Sequence, residues 1–338
     1  MTLPDAPTMR AALVTRYGAP EVVQLRDVPR PTPRTGELLI QVRATTVSSA
    51  DWRIRSLTVP AGLGPAIRLG VGLRGPRQPV LGTELSGVVA AVGARVSRFR
   101  VGDPVIAYPG ASMRAHAQYL TIPESGRVIA KPDCLRFEEA AALCFGGLTA
   151  LHYLQGKARL KPGERTLILG ASGAVGTAAL QLARHLGAAV TAVCSGANAE
   201  LVRSLGAAQV IDYEAEDFTR TGETYDVIMD CVGATSYGRC KRALAPGGRL
   251  LRIVAGLPGL LWAPLQGRMS GHRVIAGVST ERVEDMRTLA ELARAGAFKP
   301  VVDSCYPFER IAEAHARVDT HRKRGNVVVT LSGSTIHA

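Results

Sequence analysis

The 338-residue sequence lacks several features that mark large classes of protein. No two of its six cysteines are separated by only two residues, and six are too few for a disulfide scaffold, so we expect reduced thiols and a cytoplasmic protein. The first ten residues contain two prolines, an aspartate and no apolar run, which argues against a secretory signal. Residues 166–183 form the longest uncharged stretch, but three glycines divide it into a strand, a turn and a helix, so we predict no membrane partner.

Aromatic residues are also scarce, at 5% of the chain, and the basic residues are scattered. Lys and Arg total 41 against 28 Asp and Glu, and the resulting charge of +13 favours anionic partners. The densest basic cluster, residues 321–324, is interpreted as a solvated surface. Because no basic tract is interleaved with aromatics, we do not expect a nucleic-acid partner. The length and the 46% hydrophobic content favour a globular protein of two domains.

Two patterns divide the chain. The first third predicts short β strands, such as residues 85–92, separated by Gly, Pro and Asp. Residues 53–78, rich in Gly, Pro and Arg, predict a long loop with one short helix. From residue 138 onward, helical patterns alternate with apolar strands, which predicts βαβ units in a doubly wound parallel sheet. The predicted helices of this part span residues 137–154, 175–186, 197–205, 237–244 and 281–295, and a final strand spans 327–331.

The strongest local signal is a glycine-rich turn after an apolar strand. Residues 166–169 are followed by Gly170, Gly173 and Gly176, and a helical pattern then begins. Gly170 permits a tight turn, Gly173 lets the backbone approach a pyrophosphate, and Gly176 lets the helix pack closely on its strand. The phosphates would meet the free amides and positive dipole end of the helix. We therefore predict a dinucleotide site; the alternative is a merely tight βα turn.

The end of the next strand indicates which nicotinamide coenzyme fits. NAD binding favours Asp or Glu about 20 residues after the turn, where the carboxylate accepts from the ribose 2′-hydroxyl. Here Ser195 stands at that place, and no Asp or Glu occurs from 177 to 199. A carboxylate would repel a 2′-phosphate, whereas Ser195 and Asn198 offer hydrogen bonds without repulsion. NADP(H) is therefore preferred over NAD(H), although no Lys or Arg lies at 196–198 and the nearest, Arg203, suits a solvent-facing helix position.

A series of short motifs runs in order along nearly the whole chain. They are Gly36–Ile40, Ala50–Trp52, Leu81–Gly87, Val101–Val105, Glu138–Ala141, Thr149–Ala150, Lys161–Gly163, Gly170–Gly176, Leu205–Ala207, Val210–Tyr213, Asp226–Val227, Asp230, Gly233 and Gly247–Gly248. As a set they resemble the medium-chain dehydrogenase/reductase superfamily, in its zinc-free quinone oxidoreductase-like branch. Such collinearity is far more specific than one glycine turn.

The resemblance implies an α/β fold with two parts. A GroES-like, partly open β-barrel would comprise residues 1–132 and 297–338, and a Rossmann NADP(H)-binding domain, a doubly wound parallel sheet, would comprise residues 133–296. The active site would lie in the cleft between them. Members of the family usually form dimers through a late Rossmann strand, here residues 273–278, so the resemblance implies a homodimer.

The resemblance also bears on zinc. Alcohol dehydrogenases of this superfamily bind a catalytic zinc at places that carry Ser48, Thr83 and Phe145 here. Catalytic zinc usually needs three thiolate, imidazole or carboxylate ligands, and only Glu84 remains nearby, so we predict no zinc. The branch usually has an Asn at the place of Ser48, where an amide is expected near the nicotinamide ribose, so Ser48 inherits that role in our prediction.

The predicted site residues fall into three groups. Coenzyme contacts are predicted from Ser48, Thr149, Ser172, Gly173, Ala174, Val175, Ser195, Asn198, Tyr213, Cys231, Val254, Ala255, Gly256 and Asn326. Catalytic roles are predicted for Ser48, Asp51, Tyr108 and Thr149. The substrate pocket is predicted to include Trp52, Tyr108, His116 and His152. For several of these the alternative is structural: Tyr213 as an exposed strand end, Cys231 as core packing and Thr149 as a helix contact.

Without a metal Lewis acid, the oxidation of an alcohol needs another way to stabilise an alkoxide, and the sequence offers none. Reduction of a conjugated C=C bond or a quinone is easier, because the coenzyme carries the chemistry and the protein positions the substrate and excludes water. The sequence therefore predicts an NADPH-dependent reductase of a small quinone or α,β-unsaturated carbonyl substrate. The alternatives are an enoyl-thioester reductase of the same superfamily and a non-enzymatic relative that binds nucleic acid or serves as a crystallin.

Overall fold

Mainly apolar segments of three to eleven residues form the strands, and stretches with helical periodicity connect many of them. The computed structural model describes residues 7–268 and 271–331. The strands are β1 (Thr8–Val14), β2 (Val23–Pro29), β3 (Glu37–Val47), β4 (Leu85–Val92), β5 (Pro104–Ala107), β6 (Tyr119–Pro123), β7 (Val128–Ala130), β8 (Arg165–Leu169), β9 (Ala189–Cys194), β10 (Gln209–Asp212), β11 (Tyr225–Asp230), β12 (Leu244–Arg252), β13 (Arg273–Ala276), β14 (Val302–Pro307) and β15 (Asn326–Thr330). The helices are α1 (Ser49–Ser56), α2 (Gly64–Val71), α3 (Phe137–Ala141), α4 (Cys144–Leu151), α5 (Ala174–His185), α6 (Ala199–Ser204), α7 (Tyr237–Cys240), α8 (Leu257–Arg268), α9 (Val283–Arg294) and α10 (Ile311–Asp319).

Six strands of the central part form one parallel sheet. Their order is β10-β9-β8-β11-β12-β13, and every neighbouring pair is parallel. The four residues of β8 that precede Gly170 are buried, as expected for a strand covered on both faces. The strand order reverses between β8 and β11, and in such sheets ligands bind outside the carboxyl ends of the strands at that point. The predicted doubly wound Rossmann sheet is confirmed.

A second sheet combines both ends of the chain. Its order is β14-β15-β3-β4-β5-β7. The additional strand β6 pairs with the first half of the long strand β3, whereas β15 pairs with its second half. β1 and β2 form an antiparallel hairpin, which joins the rest through isolated bridges such as Ala11 with Ala117. The C-terminal strands β14 and β15 therefore lie beside the long N-terminal strand β3. This arrangement confirms the GroES-like part of the predicted fold class. The domain bounds remain a prediction, and their ends at residues 1 and 338 lie outside the described residues.

Several elements differ from those that the sequence predicts. The helix predicted over 137–154 consists of α3, α4 and a following π-helical segment, His152–Ala158. The helix predicted over 237–244 ends at Cys240, because Leu244 already pairs with Tyr225 as the first residue of β12. The loop predicted over 53–78 contains the one short helix expected there, α2, but it also includes the last residues of α1.

Contacts between the two sheets fix the position of the cleft. The amide of Gly325, just before β15, donates to the carbonyl of Ser172 in the glycine turn at 2.8 Å. Gly325 also faces Gly173 in a parallel bridge. On the other side, the Tyr108 hydroxyl after β5 donates to Glu281 before α9 at 3.1 Å. Within the described residues, no helix has the length and apolar character needed to cross a membrane.

Candidate active site

The glycine turn at the carboxyl end of β8 has the geometry of a phosphate-binding loop. Gly170 has φ +73°, and a Cβ there would lie 2.5 Å from Val232 Cγ1. A Cβ on Gly176 would lie 2.1 Å from the Gly170 carbonyl oxygen, so the close approach of α5 to β8 requires glycine. Gly173 precedes α5 as its N-cap residue, and a Cβ there would have nothing nearer than 3.6 Å. The amides of Ala174 and Val175, the first in α5, lie at the positive end of the helix dipole, where a phosphate is favoured.

A polar cluster lies beside this turn. The Asn198 side-chain amide donates to the hydroxyl oxygens of Ser172 and Ser195, each at 3.1 Å. These three predicted coenzyme residues come from the ends of β8 and β9 and the turn before α6, so the fold brings them together. All three side chains are half-buried. The serine hydroxyls and the Asn198 amide group can donate hydrogen bonds to a ribose or a phosphate, and their oxygens can accept from a ribose hydroxyl.

The sequence pattern did not identify two charged side chains at this cluster. The Arg324 guanidinium, carried by the loop before β15, donates to the Ala197 carbonyl at 3.1 Å. The Asp212 carboxylate at the end of β10 lies against Gly196, where a Cβ would be 2.5 Å from its Oδ2. Both come from segments distant in sequence, so counting residues from the glycine turn could not find them. Tyr213, the next residue after Asp212, is 61% exposed beside the same strand end.

The ends of β11 and β12 carry four further predicted coenzyme residues. Cys231 follows β11 and its amide donates to the Leu169 carbonyl at 3.2 Å, which places it next to the glycine turn. Burial raises the pKa of the Cys231 thiol, and Asp230 adds to the increase. Val254, Ala255 and Gly256 follow β12 and are half-buried. They too lie at the carboxyl edge of the sheet.

Ser48 and Asp51 form the N-terminal cap of α1. The Ser48 hydroxyl accepts from the amides of Ala50 and Asp51 at 3.2 and 3.4 Å and donates to the Asp51 carboxylate at 2.7 Å. That carboxylate also accepts from the amides of Ser48 and Gly82, both at 2.8 Å. Asp51 thus joins α1 to the turn before β4. These hydrogen bonds occupy both side chains, and their predicted catalytic roles remain predictions.

Glu84, just before β4, is a buried carboxylate that sequence analysis considered only as a remaining metal ligand. It accepts from the Thr46 hydroxyl at 2.6 Å and from the amides of Cys144 and Phe145 at 3.0 and 2.7 Å. Burial raises its pKa to about 7; those hydrogen bonds oppose the increase and Asp51 adds to it. The Glu84 side chain therefore holds the start of α4 against the barrel.

Thr83 is the one neighbour of Glu84 whose side chain lacks a partner. Its residue is 4% exposed, and its hydroxyl makes no hydrogen bond with any described residue. A buried hydroxyl without a partner costs free energy, so such a group is a candidate for contact with a ligand. Thr83 stands at one of the three places that carry zinc ligands in the alcohol dehydrogenases that the chain resembles. The sequence therefore indicated that the position matters, but only the structure shows that its hydroxyl lacks a partner.

Tyr108 is bound to residues from the far side of the cleft. Its hydroxyl donates to Glu281 Oε1 at 3.1 Å, and the other Glu281 oxygen accepts from Arg127 at 2.8 Å. Burial raises the pKa of Tyr108, and the Glu281 carboxylate raises it further. A tyrosinate is therefore strongly disfavoured here, so Tyr108 suits the donation of a hydrogen bond better than the release of a proton.

The remaining predicted residues occupy varied surroundings. His116 is 1% exposed and its Nε2 lies 2.9 Å from the Thr46 carbonyl, so it is enclosed in the barrel. His152 lies 3.0 Å from the Thr280 hydroxyl, and its pKa is lowered by partial burial and by Lys157. Trp52 is half-buried and meets His321 edge-on, with ring centroids 4.6 Å apart.

Thr149 and Asn326 use their polar groups within the protein. The Thr149 hydroxyl donates to the Phe145 carbonyl one turn earlier in α4 at 2.8 Å. The Asn326 side-chain amide donates to the Val301 carbonyl at 3.0 Å. Each side chain can still bind a ligand, because the Thr149 hydroxyl oxygen can accept a hydrogen bond and the Asn326 amide has a second N–H group and an acceptor oxygen.

Metal-ligand geometry is not found in the described part of the chain. Between residues 7 and 331, apart from 269 and 270, no three His, Cys, Asp or Glu side chains are grouped so that they could hold an ion. At the three places where the alcohol dehydrogenases place zinc ligands, this chain carries Ser48, Thr83 and Phe145. Only a hydroxyl at two of them and a phenyl ring at the third are present, and zinc prefers thiolate, imidazole or carboxylate ligands.

Comparison with known proteins agrees with this fold. Residues 34–133 match the family described as alcohol dehydrogenase GroES-like domain, and residues 205–329 match the family described as zinc-binding dehydrogenase. The chain is 30% identical to the chloroplast envelope quinone oxidoreductase homolog of Arabidopsis thaliana, over 90% of this chain and 92% of that protein.

The chain belongs to the medium-chain dehydrogenase/reductase superfamily, in its quinone oxidoreductase-like branch.

Two solved structures extend the comparison. The quinone oxidoreductase from Coxiella burnetii superposes with a TM-score of 0.85 at 26% identity, over 96% of this chain and 100% of that one. The CurK enoyl reductase gives a TM-score of 0.83 at 25% identity, also over 96% and 100%. The predicted family is confirmed, and the protein is an oxidoreductase of a family that uses a nicotinamide coenzyme.

Proposed function

We propose that this member of the superfamily is an NADPH-dependent, zinc-independent reductase of quinones or α,β-unsaturated carbonyl compounds. The observation that carries the proposal is the glycine turn with the adjoining cluster of Ser172, Ser195 and Asn198, to which Arg324 contributes a guanidinium. The cluster has hydrogen-bonding groups for a ribose, and a cation for a 2′-phosphate. We further propose a cytoplasmic homodimer and the two-domain division that the sequence predicts.

The coenzyme, when bound, supplies a hydride to an electron-poor carbon of the substrate. The electron pair then moves to the substrate oxygen, and a proton from a side chain or water completes the reduction of the C=C bond or quinone. We assign Thr83 the donation of a hydrogen bond to that oxygen, because its buried hydroxyl has no other partner among the described residues. Such a donor stabilises developing negative charge most where water is excluded. Tyr108, with its hydroxyl held by Glu281, is proposed to line the same cleft.

Turnover measurements test the proposal directly. Purified protein with NADPH should reduce quinones or enones and not simple ketones, and a chelator should leave the rate unchanged. The Thr83→Val variant should lower kcat by about 10- to 100-fold, since one oxyanion donor contributes about that much or more. Thr166→Val serves as the matched control, because the Thr166 hydroxyl in β8 is likewise buried and without a partner among the described residues, and it has no predicted role in the site. Activity confined to alcohols and abolished by chelation would contradict the proposal.

Coenzyme preference is a separate prediction, because charges of opposite sign flank the polar cluster. Arg324→Ala should lower the ratio of NADPH to NADH affinity by roughly tenfold, since a guanidinium contact with a phosphate contributes about 1.5 kcal/mol or more. Asp212→Asn should raise that ratio, because a carboxylate repels the 2′-phosphate. Dissociation constants from fluorescence titrations of both variants supply the measurement, and an unchanged ratio in both would refute the assignment.

An enoyl-thioester reductase is the second candidate. The specific observation in its favour is the superposition with the CurK enoyl reductase over the whole of that chain. The two candidates share the coenzyme site and differ in the substrate, so a panel that contains free enones, quinones and enoyl thioesters discriminates them. A preference of tenfold or more in kcat/KM for the thioesters would favour this second candidate.

A further inference from the structure

The loop between α10 and β15 crosses from the barrel sheet to the glycine turn. It begins after Asp319 and ends at Gly325, whose amide donates to the Ser172 carbonyl at 2.8 Å. Gly325 also pairs with Gly173, the residue that precedes the first turn of α5. The loop carries four consecutive basic residues at 321–324, which a charge pattern alone assigns to solvent.

Lys323 in this loop is not a solvated side chain. It is half-buried, and its ammonium group donates to the Gly325 carbonyl at 2.6 Å. No carboxylate oxygen among the described residues lies within 4.0 Å of it, although twelve other ion pairs are formed there. A buried ammonium without a counter-charge is unfavourable. The protein thus keeps a cation beside the glycine turn whose direct partner is a carbonyl oxygen rather than a carboxylate.

The charged groups that act on Lys323 come from three elements. Asp303 in β14 and Glu84 before β4 favour its charged form, whereas Arg317 in α10 disfavours it. Both carboxylates are already occupied: Asp303 accepts from Arg317 at 2.7 Å and from the Arg324 amide at 2.7 Å, and Glu84 accepts from Thr46 and two amides. The loss of hydration on burial outweighs them and lowers the pKa of Lys323 to about 8.

We infer that Lys323 is a coenzyme-binding residue whose ammonium group bonds the pyrophosphate bound at the glycine turn, and that coenzyme binding is therefore coupled to protonation of this lysine. The inference rests on the coenzyme site of the proposed function. A pyrophosphate supplies the missing counter-charge, and it lies at the end of α5 toward which the Gly173–Gly325 bridge directs the loop. The contact links the barrel, which carries Lys323, to the ligand held by the Rossmann sheet.

The number of protons taken up on coenzyme binding depends on how much of Lys323 is already charged in the coenzyme-free protein. With a pKa of about 8, half of the molecules carry the charge at pH 8 and about a tenth at pH 9. If the pyrophosphate keeps Lys323 charged, binding takes up about half a proton at pH 8 and more at pH 9. The dissociation constant should therefore rise by about tenfold between pH 7 and pH 9, for NADPH and NADH alike.

Three variants isolate this lysine. Lys323→Met should weaken both coenzymes by roughly tenfold at pH 7 and abolish the rise toward pH 9. Lys323→Arg keeps a permanent charge, so it should retain affinity and lose the pH dependence. Lys161→Met is the matched control: Lys161 is exposed at the opposite edge of the sheet, before β8, and its loss should change neither quantity. Dissociation constants come from fluorescence titration.

Proton uptake is measured by titration calorimetry of the unmodified protein in buffers of different ionisation heat. Uptake that is zero at pH 8 and 9, or affinities of Lys323→Met equal to those of the control, would overturn the inference while coenzyme binding itself stands. If Lys323→Met lost affinity for NADPH but not for NADH, the inference would also be overturned, because the lysine would then contact the 2′-phosphate. If neither coenzyme binds the unmodified protein, the proposed function fails together with the inference.

Discussion

Glu84 combines full burial with three hydrogen bonds, so its protonation state depends on the fold. Its pKa of about 7 lies above the ordinary value of 4.5, because burial disfavours the carboxylate. A raised pKa means that the folded state binds this proton more tightly than the unfolded state. The stability that results is fully present below about pH 4.5 and is lost as the pH rises through 7.

The Glu84→Gln variant tests whether the titration of Glu84 makes the stability of the protein depend on pH. The amide oxygen can accept from the Cys144 and Phe145 amides while its NH₂ group meets Thr46, so the variant imitates the protonated acid. We expect similar free energies of unfolding for both proteins at pH 4.5, and at pH 8 a variant more stable by on the order of 2–3 kcal/mol. Urea unfolding at several pH values measures the difference. A gap that stays constant from pH 4.5 to pH 8 would show that Glu84 titrates normally.

Residue types alone predict some of these contacts and miss others. The glycine turn follows from steric rules, since Gly176 admits no Cβ and Gly173 leaves its surface open. Ser195 and Asn198 could be predicted as coenzyme contacts because they directly follow the strand after the glycine turn. Arg324 and Asp212 could not be predicted, because hydrogen bonds across 127 residues and contacts between neighbouring strands depend on the assembled fold.

At the scale of elements, the cap of α1 connects local sequence with the site. Ser48 and Asp51 form reciprocal hydrogen bonds with each other's backbone amides, the pattern of a capping box. The pair can be recognised from the sequence as a serine three residues before an aspartate. The resemblance instead implies a coenzyme contact for Ser48, and catalytic roles are predicted for both Ser48 and Asp51. Because the cap uses both side chains, each of these roles needs a hydrogen bond that the cap leaves available.

Ser48→Ala separates these roles. Loss of the cap should lower the free energy of unfolding by about 1 kcal/mol. If Ser48 also contacts the nicotinamide ribose, the dissociation constant for NADPH should rise at least threefold in the fully folded protein. Ser236→Ala, which removes the capping hydroxyl of α7, is the control for capping at another helix. An unchanged affinity beside the expected loss of stability would leave Ser48 as a cap alone.

Periodicity predicts the strands of the parallel sheet better than the helices. Strands β8, β9 and β11 are mostly apolar and almost entirely buried, so the sequence indicates their type clearly. The helix predicted after β11 ends early, since pairing of Leu244 with Tyr225 in the sheet replaces the last turn. Tertiary pairing overrides local propensity at that point, which a single sequence cannot reveal.

For the whole molecule, the edge of the parallel sheet bears on assembly. Among the residues that the structure describes, β13 pairs with β12 and with no strand on its other side, and Val278 just beyond it is 90% exposed. An exposed edge strand is a template for pairing with a second copy. The predicted homodimer through residues 273–278 is not tested by a single chain, so it remains a prediction.

Val278→Asp should weaken such a dimer, because two carboxylates would then be buried at a symmetric interface. Light scattering after size exclusion should show the mass falling from about two chains to one, with unchanged secondary structure. Val101→Asp, at another exposed valine in the barrel, is the control. A dimer that persists unaltered in Val278→Asp would place the interface elsewhere.

The resemblance to the superfamily predicts that the C-terminal tail returns to the barrel. β14 and β15 lie beside β3 as the resemblance implies. The role of the loop just before β15 was not predictable, because clustered basic residues suit both solvent and a ligand. Only the folded position of Gly325 against Gly173 distinguishes the two.

That bridge has a mechanical consequence. β15 is an interior strand of the barrel sheet, and its first residues extend directly from the loop that meets the glycine turn. A displacement of the glycine turn would therefore act on β15, which lies between β14 and β3 in the barrel sheet, rather than on an edge strand. Any opening of the crevice must either break the hydrogen bond between Gly325 and Ser172 or carry β15 along.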